Sequence, residues 1–228
     1  MNYLQLCQRL RKESGVPGTG PSAVTGQTGF ELNLVDWIDT AYQDIQNFHP
    51  TWDFLRDDFS FDTTVAKRNY TPAEAGITDF ESWKIFSHGD IRIYNTVIGV
   101  QNESRLSYVP WDGYRDSYYF GTNRTAPGRP HAVTYKPNRS LDLFQVPNDI
   151  FTVNGEYYKQ ADIMTADADI PIIPVNFHMI IVWRALMFYG AFDAADEKYS
   201  HGQNEYKKLL RKLEVDQLTK MTYGAPLA

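Results

Sequence analysis

The stretch Phe177–Phe192 constrains the fold more than any other part of this 228-residue chain. It is apolar on nearly every side, with β-branched residues such as Ile180 and Ile181 in its first half. A helix that is apolar all round has to be surrounded by other elements. Because His178 and Arg184 interrupt the run and it is short for a bilayer span, we expect a buried core helix and no membrane contact.

Helical periodicity at both ends of the chain predicts the elements that surround this core. Apolar side chains recur every three to four residues between Tyr3 and Leu10, between Leu34 and Phe48, and again over residues 193–218. In the last of these segments, the face opposite the apolar side chains is basic. These patterns predict amphipathic helices that pack their apolar faces on the central one.

The segment between these helices has a different pattern and predicts strands and turns. Apolar and polar residues alternate in Ile91–Val97 and in Leu141–Phe144, as in half-buried strands. Asn154-Gly155, placed between two apolar runs, is a strong hairpin signal, because a tight type I′ turn needs positive φ at both central residues.

The sequence therefore predicts an α+β fold class, namely a mainly α-helical bundle built from both chain ends with a β-rich insertion. Residues 1–57 and 171–218 would form the bundle, and 58–170 the insertion. Residues 219–228 have no periodicity and predict an extended C-terminal tail.

Charge limits how the protein can interact with nucleic acid. The formal net charge is −6 at pH 7, whereas proteins that grip nucleic acid usually carry a basic balance or stripe. An acidic wall would let DNA slide past it, because carboxylates repel phosphates. Asp162, Asp167 and Asp169 could line such a channel, or they could simply form a solvated loop at the positive end of a helix.

Motifs for catalysis and metal binding are not apparent in the sequence. The five histidines are scattered, and the lone Cys7 lies on the apolar face of the first helix, which predicts a small buried hydrophobe. The loop Gly15–Gly29 lacks the Gly-Lys-Ser/Thr ending of a phosphate-binding loop, and no Gly-x-Ser-x-Gly elbow is present. The sequence therefore predicts no enzyme, no metal and no cofactor.

An aromatic cluster in the middle segment is a candidate interaction site. It comprises Trp111, Tyr114, Tyr118 and Tyr119 and is followed by Phe120. Aromatic side chains with polar tips suit surfaces that are buried on assembly. The cluster fits a subunit interface or the buried face of a β-hairpin, and a sugar-stacking platform is the remaining alternative.

The chain as a whole resembles the head-to-tail adaptor (connector) proteins of tailed bacteriophages. The similar segments extend over nearly the full length and include the opening helix, the Gly-rich loop, the second helix with its following segment, and the core helix. They are Met1–Arg11, Gly18–Gly29, Leu34–Gln46, Trp52–Arg56 and Pro171–Leu186.

The resemblance implies a structural role at the head-tail junction of the virion, for a protein made in the host cytoplasm. About a dozen copies would form a homo-oligomeric ring below the portal protein, above the tail or nozzle proteins. Genomic DNA would pass through the ring without specific binding. The tail would dock on the portal through Lys220, Met221, Tyr223 and Leu227, and the helical bundle would form the lateral contacts.

Two further functions remain open at this point. The aromatic cluster could make the protein a glycan-binding module of a phage tail. A virion-associated cell-wall hydrolase would need two carboxylates placed across a cleft, and the sequence marks no such pair.

Overall fold

Residues 1–85 and 90–218 are described by the structure, a computed structural model, and the chain divides into two units. One unit holds Met1–Leu55 and the chain from Ala161 onward, and the other holds Arg56–Gln160. Helices account for 44% and strands for 20% of the described residues, with three sheets. The prediction of a mainly α-helical bundle is therefore wrong, and the fold class is mixed α+β. The middle segment forms its own sheets and its own hydrophobic core, and is not a small insertion in a helical protein.

The described residues contain both long and short helices. The α-helices are α1 (Tyr3–Ser14), α2 (Gly29–Phe48), α3 (Trp111–Tyr114), α4 (Met179–Phe192) and α5 (Asp196–Gln217). Short 3-10 turns lie at Asp53–Leu55, Ala73–Ala75, Val100–Asn102, Gly121–Thr125 and Val175–Phe177.

Local signals define both ends of α1. The side chain of Asn2 accepts a hydrogen bond from the backbone N–H of Gln5 at 2.9 Å, and the Gln5 side chain accepts one from the N–H of Asn2 at 3.0 Å. This reciprocal capping box satisfies two backbone donors that a helix start leaves free. The helix ends at Ser14, and the φ of 80° at the capping residue Gly15 lies in the left-handed region that favours glycine.

Helix α4 is the central helix of the first unit. It contacts α1, α2 and α5, and Ile180, Ile181 and Leu186 are completely buried. By length and composition alone the window Val175–Phe192 is long and apolar enough to cross a membrane, but half of it is buried within the protein. Core helices of soluble proteins pass the same test, and the packing of α4 is that of a core helix.

Helices α4 and α5 approach each other closely where each carries a glycine. A Cβ added at Gly190 would lie 2.7 Å from the backbone nitrogen of Tyr199. A Cβ added at Gly202 would lie 2.9 Å from the carbonyl oxygen of Trp183. Real Cβ atoms do not approach backbone so closely, so both glycines are required by the helix crossing.

The second unit is built from short strands and one long one. The strands are β1 (Arg56–Asp62), β2 (Asn69–Tyr70), β3 (Phe80–Trp83), β4 (Arg92–Asn95), β5 (Ser104–Arg105), β6 (Ser107–Tyr108), β7 (Pro127–Gly128), β8 (Ala132–Tyr135), β9 (Leu141–Phe144), β10 (Val146–Pro147) and β11 (Phe151–Lys159).

Three sheets organise these strands. The five-stranded sheet has the order β1-β11-β4-β5, and β3 also pairs with β11. The four-stranded sheet has the order β2-β9-β8-β6, and β10 pairs with β7 in parallel. One apolar core holds residues of both larger sheets, including Phe59 and Val153 of the first and Val133 and Leu143 of the second.

The predicted hairpin at Asn154-Gly155 is wrong. Both residues lie inside the continuous strand β11, and Gly155 pairs with Phe59 of β1. A Cβ at Gly155 would lie 2.7 Å from Cζ of Phe59, so the glycine makes room for the aromatic ring that packs across it. Glycine within a strand often marks such a close approach rather than a turn.

Candidate interaction surfaces

The aromatic segment predicted from the sequence forms a short helix followed by a π-helical turn, and not a β-hairpin. Helix α3 is continued by the turn Arg115–Tyr119. Tyr114 is completely buried and forms a small core with Ala132 and Phe144. Trp111 and Tyr118 pack against this small core, so part of the aromatic segment covers the four-stranded sheet.

A buried carboxylate holds this segment in place. The side chain of Asp142 on β9 is completely buried, and its Oδ1 accepts hydrogen bonds from Arg68 Nε at 2.6 Å and from the Tyr114 hydroxyl at 2.9 Å. Lys136 Nζ lies 2.7 Å from Asp142 Oδ2. The two cations and the hydroxyl offset the cost of desolvating the single negative charge of this carboxylate.

Arg68 extends the network into the aromatic segment. Its guanidinium donates to the carbonyl oxygens of Tyr118 at 3.4 Å and Arg124 at 3.2 Å, and to the Tyr114 hydroxyl at 3.0 Å. Arg68 lies 5.3 Å from the ring centroid of Tyr119. One side chain therefore ties both ends of the segment to the sheet, and its planar fork suits this multiple recognition.

Burial raises the pKa of Tyr114, and the neighbouring Asp142 adds to this effect. Its hydroxyl therefore stays protonated at all physiological pH values and remains a hydrogen-bond donor to the carboxylate.

Only part of the predicted aromatic interface faces outward. Tyr114 belongs to the core, and Trp111, Tyr118 and Tyr119 are half-buried. Lys136 Nζ lies 5.9 Å from the ring centroid of Trp111 and 5.0 Å from that of Tyr119. A sugar platform needs free ring faces, so this arrangement argues against glycan stacking. The subunit-interface role of the segment stays a prediction.

Asp142 is the site residue that the sequence pattern missed. Leu141–Phe144 alternates apolar and polar residues, which is typical of a strand with one exposed face, yet all four side chains are buried. The second face of this strand is covered by the aromatic segment. The partners Arg68 and Lys136 come from separate parts of the chain, and no local sequence pattern connects them.

The acidic residues proposed for a channel wall lie in the loop before α4, where Asp167 and Asp169 contact the start of α1 and Asp162 contacts α2. The carbonyl oxygens of Asp167 and Asp169 accept hydrogen bonds from the first N–H groups of α1, at Leu4 and Tyr3. Asp167 Oδ1 also accepts from the N–H of Val24 at 2.6 Å, and exposed Asp162 accepts from a tyrosine hydroxyl at 2.7 Å.

The carboxylate of Asp169 is held ionised by its own loop. Hydrogen bonds from the backbone N–H groups of Ala166 and Thr165, at 2.8 and 2.7 Å, lower its pKa. Negative charge at a helix N-terminus is favourable, so the loop stabilises α1. A channel-facing role for the three aspartates stays a prediction.

The predicted portal-docking residues Lys220, Met221, Tyr223 and Leu227 lie outside the described residues, as does His88. The last described helix, α5, ends at Gln217, immediately before the tail begins. Their role stays a prediction.

Exposed aliphatic and aromatic side chains such as those of Val97, Val215 and Phe120 are typical of the class of proteins that work by contact with other proteins. A group of three or more metal-binding side chains does not occur within residues 1–85 and 90–218.

Comparison with known families places the chain within this class. The model of the SU10 adaptor protein family matches residues 1–228, and the chain belongs to this family of bacteriophage head-to-tail adaptors. No curated protein matches the sequence. Membership makes the protein a virion component with a structural role, which interacts with other head or tail proteins of the phage.

Proposed function

We propose that the protein forms a ring at the head-tail junction that joins the portal to the tail and continues the channel for genomic DNA. Family membership over the whole chain is the observation that carries this proposal. The net charge of −6 supports a channel that DNA crosses without being held. In this arrangement, the protein contacts the portal above, tail or nozzle proteins below, and further copies of itself on both sides.

The tail 219–228 is the proposed portal-docking segment. Leu213 is the last fully buried side chain among the described residues, so a chain that ends at Leu218 keeps all of these buried side chains. Lys220, Met221, Tyr223 and Leu227 supply a cation and three apolar groups, which suit a partner with an apolar groove and a nearby carboxylate.

Asp162, Asp167 and Asp169 are proposed to face the channel. Asp162 is the most exposed of the three, and the carboxylates of all three accept hydrogen bonds. Because hydrogen bonding lowers the pKa of Asp169, its carboxylate would be charged at neutral pH and would repel phosphates.

The deciding experiment mixes the purified protein with portal rings and images the product by electron microscopy. We expect a second ring below each portal. A chain that ends at Leu218 should fold normally, because it keeps every buried side chain of the described residues, but should not attach. The double variant Tyr223→Ala/Leu227→Ala should behave in the same way, and Thr222→Ala is the matched control. Portals without added density, or a truncated chain that docks as well as the full one, would contradict the proposal.

A further inference from the structure

Three loops of the second unit meet at one end of its five-stranded sheet. The pairings of Asp62 with Thr152 and of Phe151 with Asn95 place the end of β1, the start of β11 and the end of β4 side by side. The loops that extend from this end are residues 63–66, 96–100 and 148–150.

These loops expose an unusual number of aliphatic side chains. We call this surface the aliphatic tip, and its members are Val65, Val97, Ile98, Val100 and Ile150. Val97 is 89% exposed and Val100 is 72% exposed. Single exposed aliphatic residues are ordinary, but a group on adjacent loops marks a surface that a partner covers.

Hydrogen bonds make the tip rigid. The side-chain oxygen of Asn95 accepts from the N–H groups of Val97 and Ile98 at 3.0 and 3.1 Å, and its amide donates to Asp149 at 2.8 Å. The N–H of Thr96 donates to the carbonyl of Ile150 at 3.2 Å. A loop that is already ordered loses little conformational entropy when it docks, so the tip is prepared for binding.

The first unit carries a groove of complementary character. It is lined by two apolar side chains, Phe177 and Val215, and by the charged side chains of Arg211, Lys212 and Asp216. The groove has a volume of about 480 Å³. Val215 is 70% exposed within it, so an apolar surface is again left open to solvent.

We propose that the aliphatic tip of one copy inserts into this groove of a second copy. The aliphatic side chains of the tip would contact Phe177 and Val215. The exposed Asp62 and Asp149 beside the tip would pair with the basic side chains of Arg211 and Lys212. A head-to-tail contact between two different surfaces of one chain is the type of interface that closes into a ring. The inference rests on the proposed ring and identifies one of its contacts.

Cysteine cross-linking tests the contact directly. The natural Cys7 is completely buried and its pKa is raised by burial to about 12, so it does not react. Chains with Val97→Cys and chains with Val215→Cys are mixed in the presence of portal rings and treated with a short bismaleimide. We expect a covalent dimer from the mixture and a ladder of higher oligomers from the double variant Val97→Cys/Val215→Cys.

The alternatives give different products. Dimers from Val97→Cys alone would mean that two tips meet symmetrically, and would overturn the proposal. An intrachain product from Val215→Cys/Leu227→Cys would mean that the groove holds the chain's own tail, with the same consequence. If rings form on portals without the cross-link between positions 97 and 215, this contact is wrong and the proposed function stands. If the cross-link between positions 97 and 215 forms but no rings appear on portals, the contact exists and the proposed function is wrong.

A charge at the tip provides a second, independent test. Val97→Asp should weaken self-association about tenfold or more, because a carboxylate would enter an apolar groove. The matched control is Ile170→Asp, which changes an exposed aliphatic residue outside both surfaces. Equal sedimentation behaviour of both variants and the unchanged protein would refute the role of the tip.

Discussion

Asp142→Asn removes one charge from the centre of the second unit while preserving the shape of the side chain. The completely buried carboxylate faces Arg68 and Lys136, whose side chains are only 13% and 16% exposed. Breaking a buried ion pair by removing one partner costs about 3 to 5 kcal/mol, because the other charge stays buried without compensation. Since the cations keep a little solvent contact, we expect the lower end, about 3 kcal/mol.

The assay is urea denaturation followed by near-ultraviolet circular dichroism, which reports the aromatic side chains. With a slope of about 2 kcal/mol per molar urea, the loss corresponds to a midpoint lower by about 1.5 M. Lys136→Met should cost less, about 1 to 2 kcal/mol, because Arg68 keeps the carboxylate paired.

Asp112→Asn is the matched control, because Asp112 lies in the same segment with its side chain 89% exposed beside Arg115. A surface pair of this kind contributes little, so the free energy of unfolding of Asp112→Asn should differ from that of the unchanged protein by less than about 0.5 kcal/mol. If Asp142→Asn were as stable as Asp112→Asn, the network would not hold the aromatic segment and the reasoning would fail.

Three further predictions concern packing and protonation. Gly190→Ala should lower the free energy of unfolding by about 1 to 3 kcal/mol, because its Cβ would collide with the backbone of α5. Gly113→Ala is the control and should not lower it, because the nearest neighbour of its Cβ lies at 3.7 Å. Equal urea midpoints for the two variants would refute this prediction. Gly155→Val should cost at least as much by displacing the ring of Phe59, and thermal unfolding without a lower midpoint would contradict it. Burial lowers the pKa of His178 from its ordinary value of 6.5, so just below pH 6.5 the unfolded state binds a proton that the folded state does not. The free energy of unfolding should therefore be highest above pH 6.5 and should fall as the pH decreases towards the folded pKa. Urea midpoints at several pH values should show this slope, and His178→Gln should flatten it.

Helix positions could be predicted from the sequence because their signals are local. The apolar faces of α1 and α2 repeat every three to four residues, and Leu6, Leu10, Leu34 and Ile38 are completely buried as expected. Phe48 belonged to the same predicted face but is 52% exposed, because it is the last residue of α2 and lies at the edge of the packed region.

Other features depend on residues far apart in sequence and could not be predicted. Asn154-Gly155 is a strong turn signal, but the ring of Phe59 on a neighbouring strand fills the space above the glycine, and tertiary packing overrides the local preference. The buried state of Asp142 depends on Arg68 and Lys136, which no spacing rule connects with it. The aliphatic tip was missed because its members come from three separate loops.

The two glycines at the crossing of α4 and α5 have a mechanical consequence. Because backbone meets backbone at Gly190 and Gly202, no flexible side chain separates the helices to absorb a displacement. The chain continues from the C-terminal end of α5 towards residue 219. A pulling force on this end would move α4 together with α5. Force applied at the tail would thus reach α4 through the close approach of the two helices at these glycines.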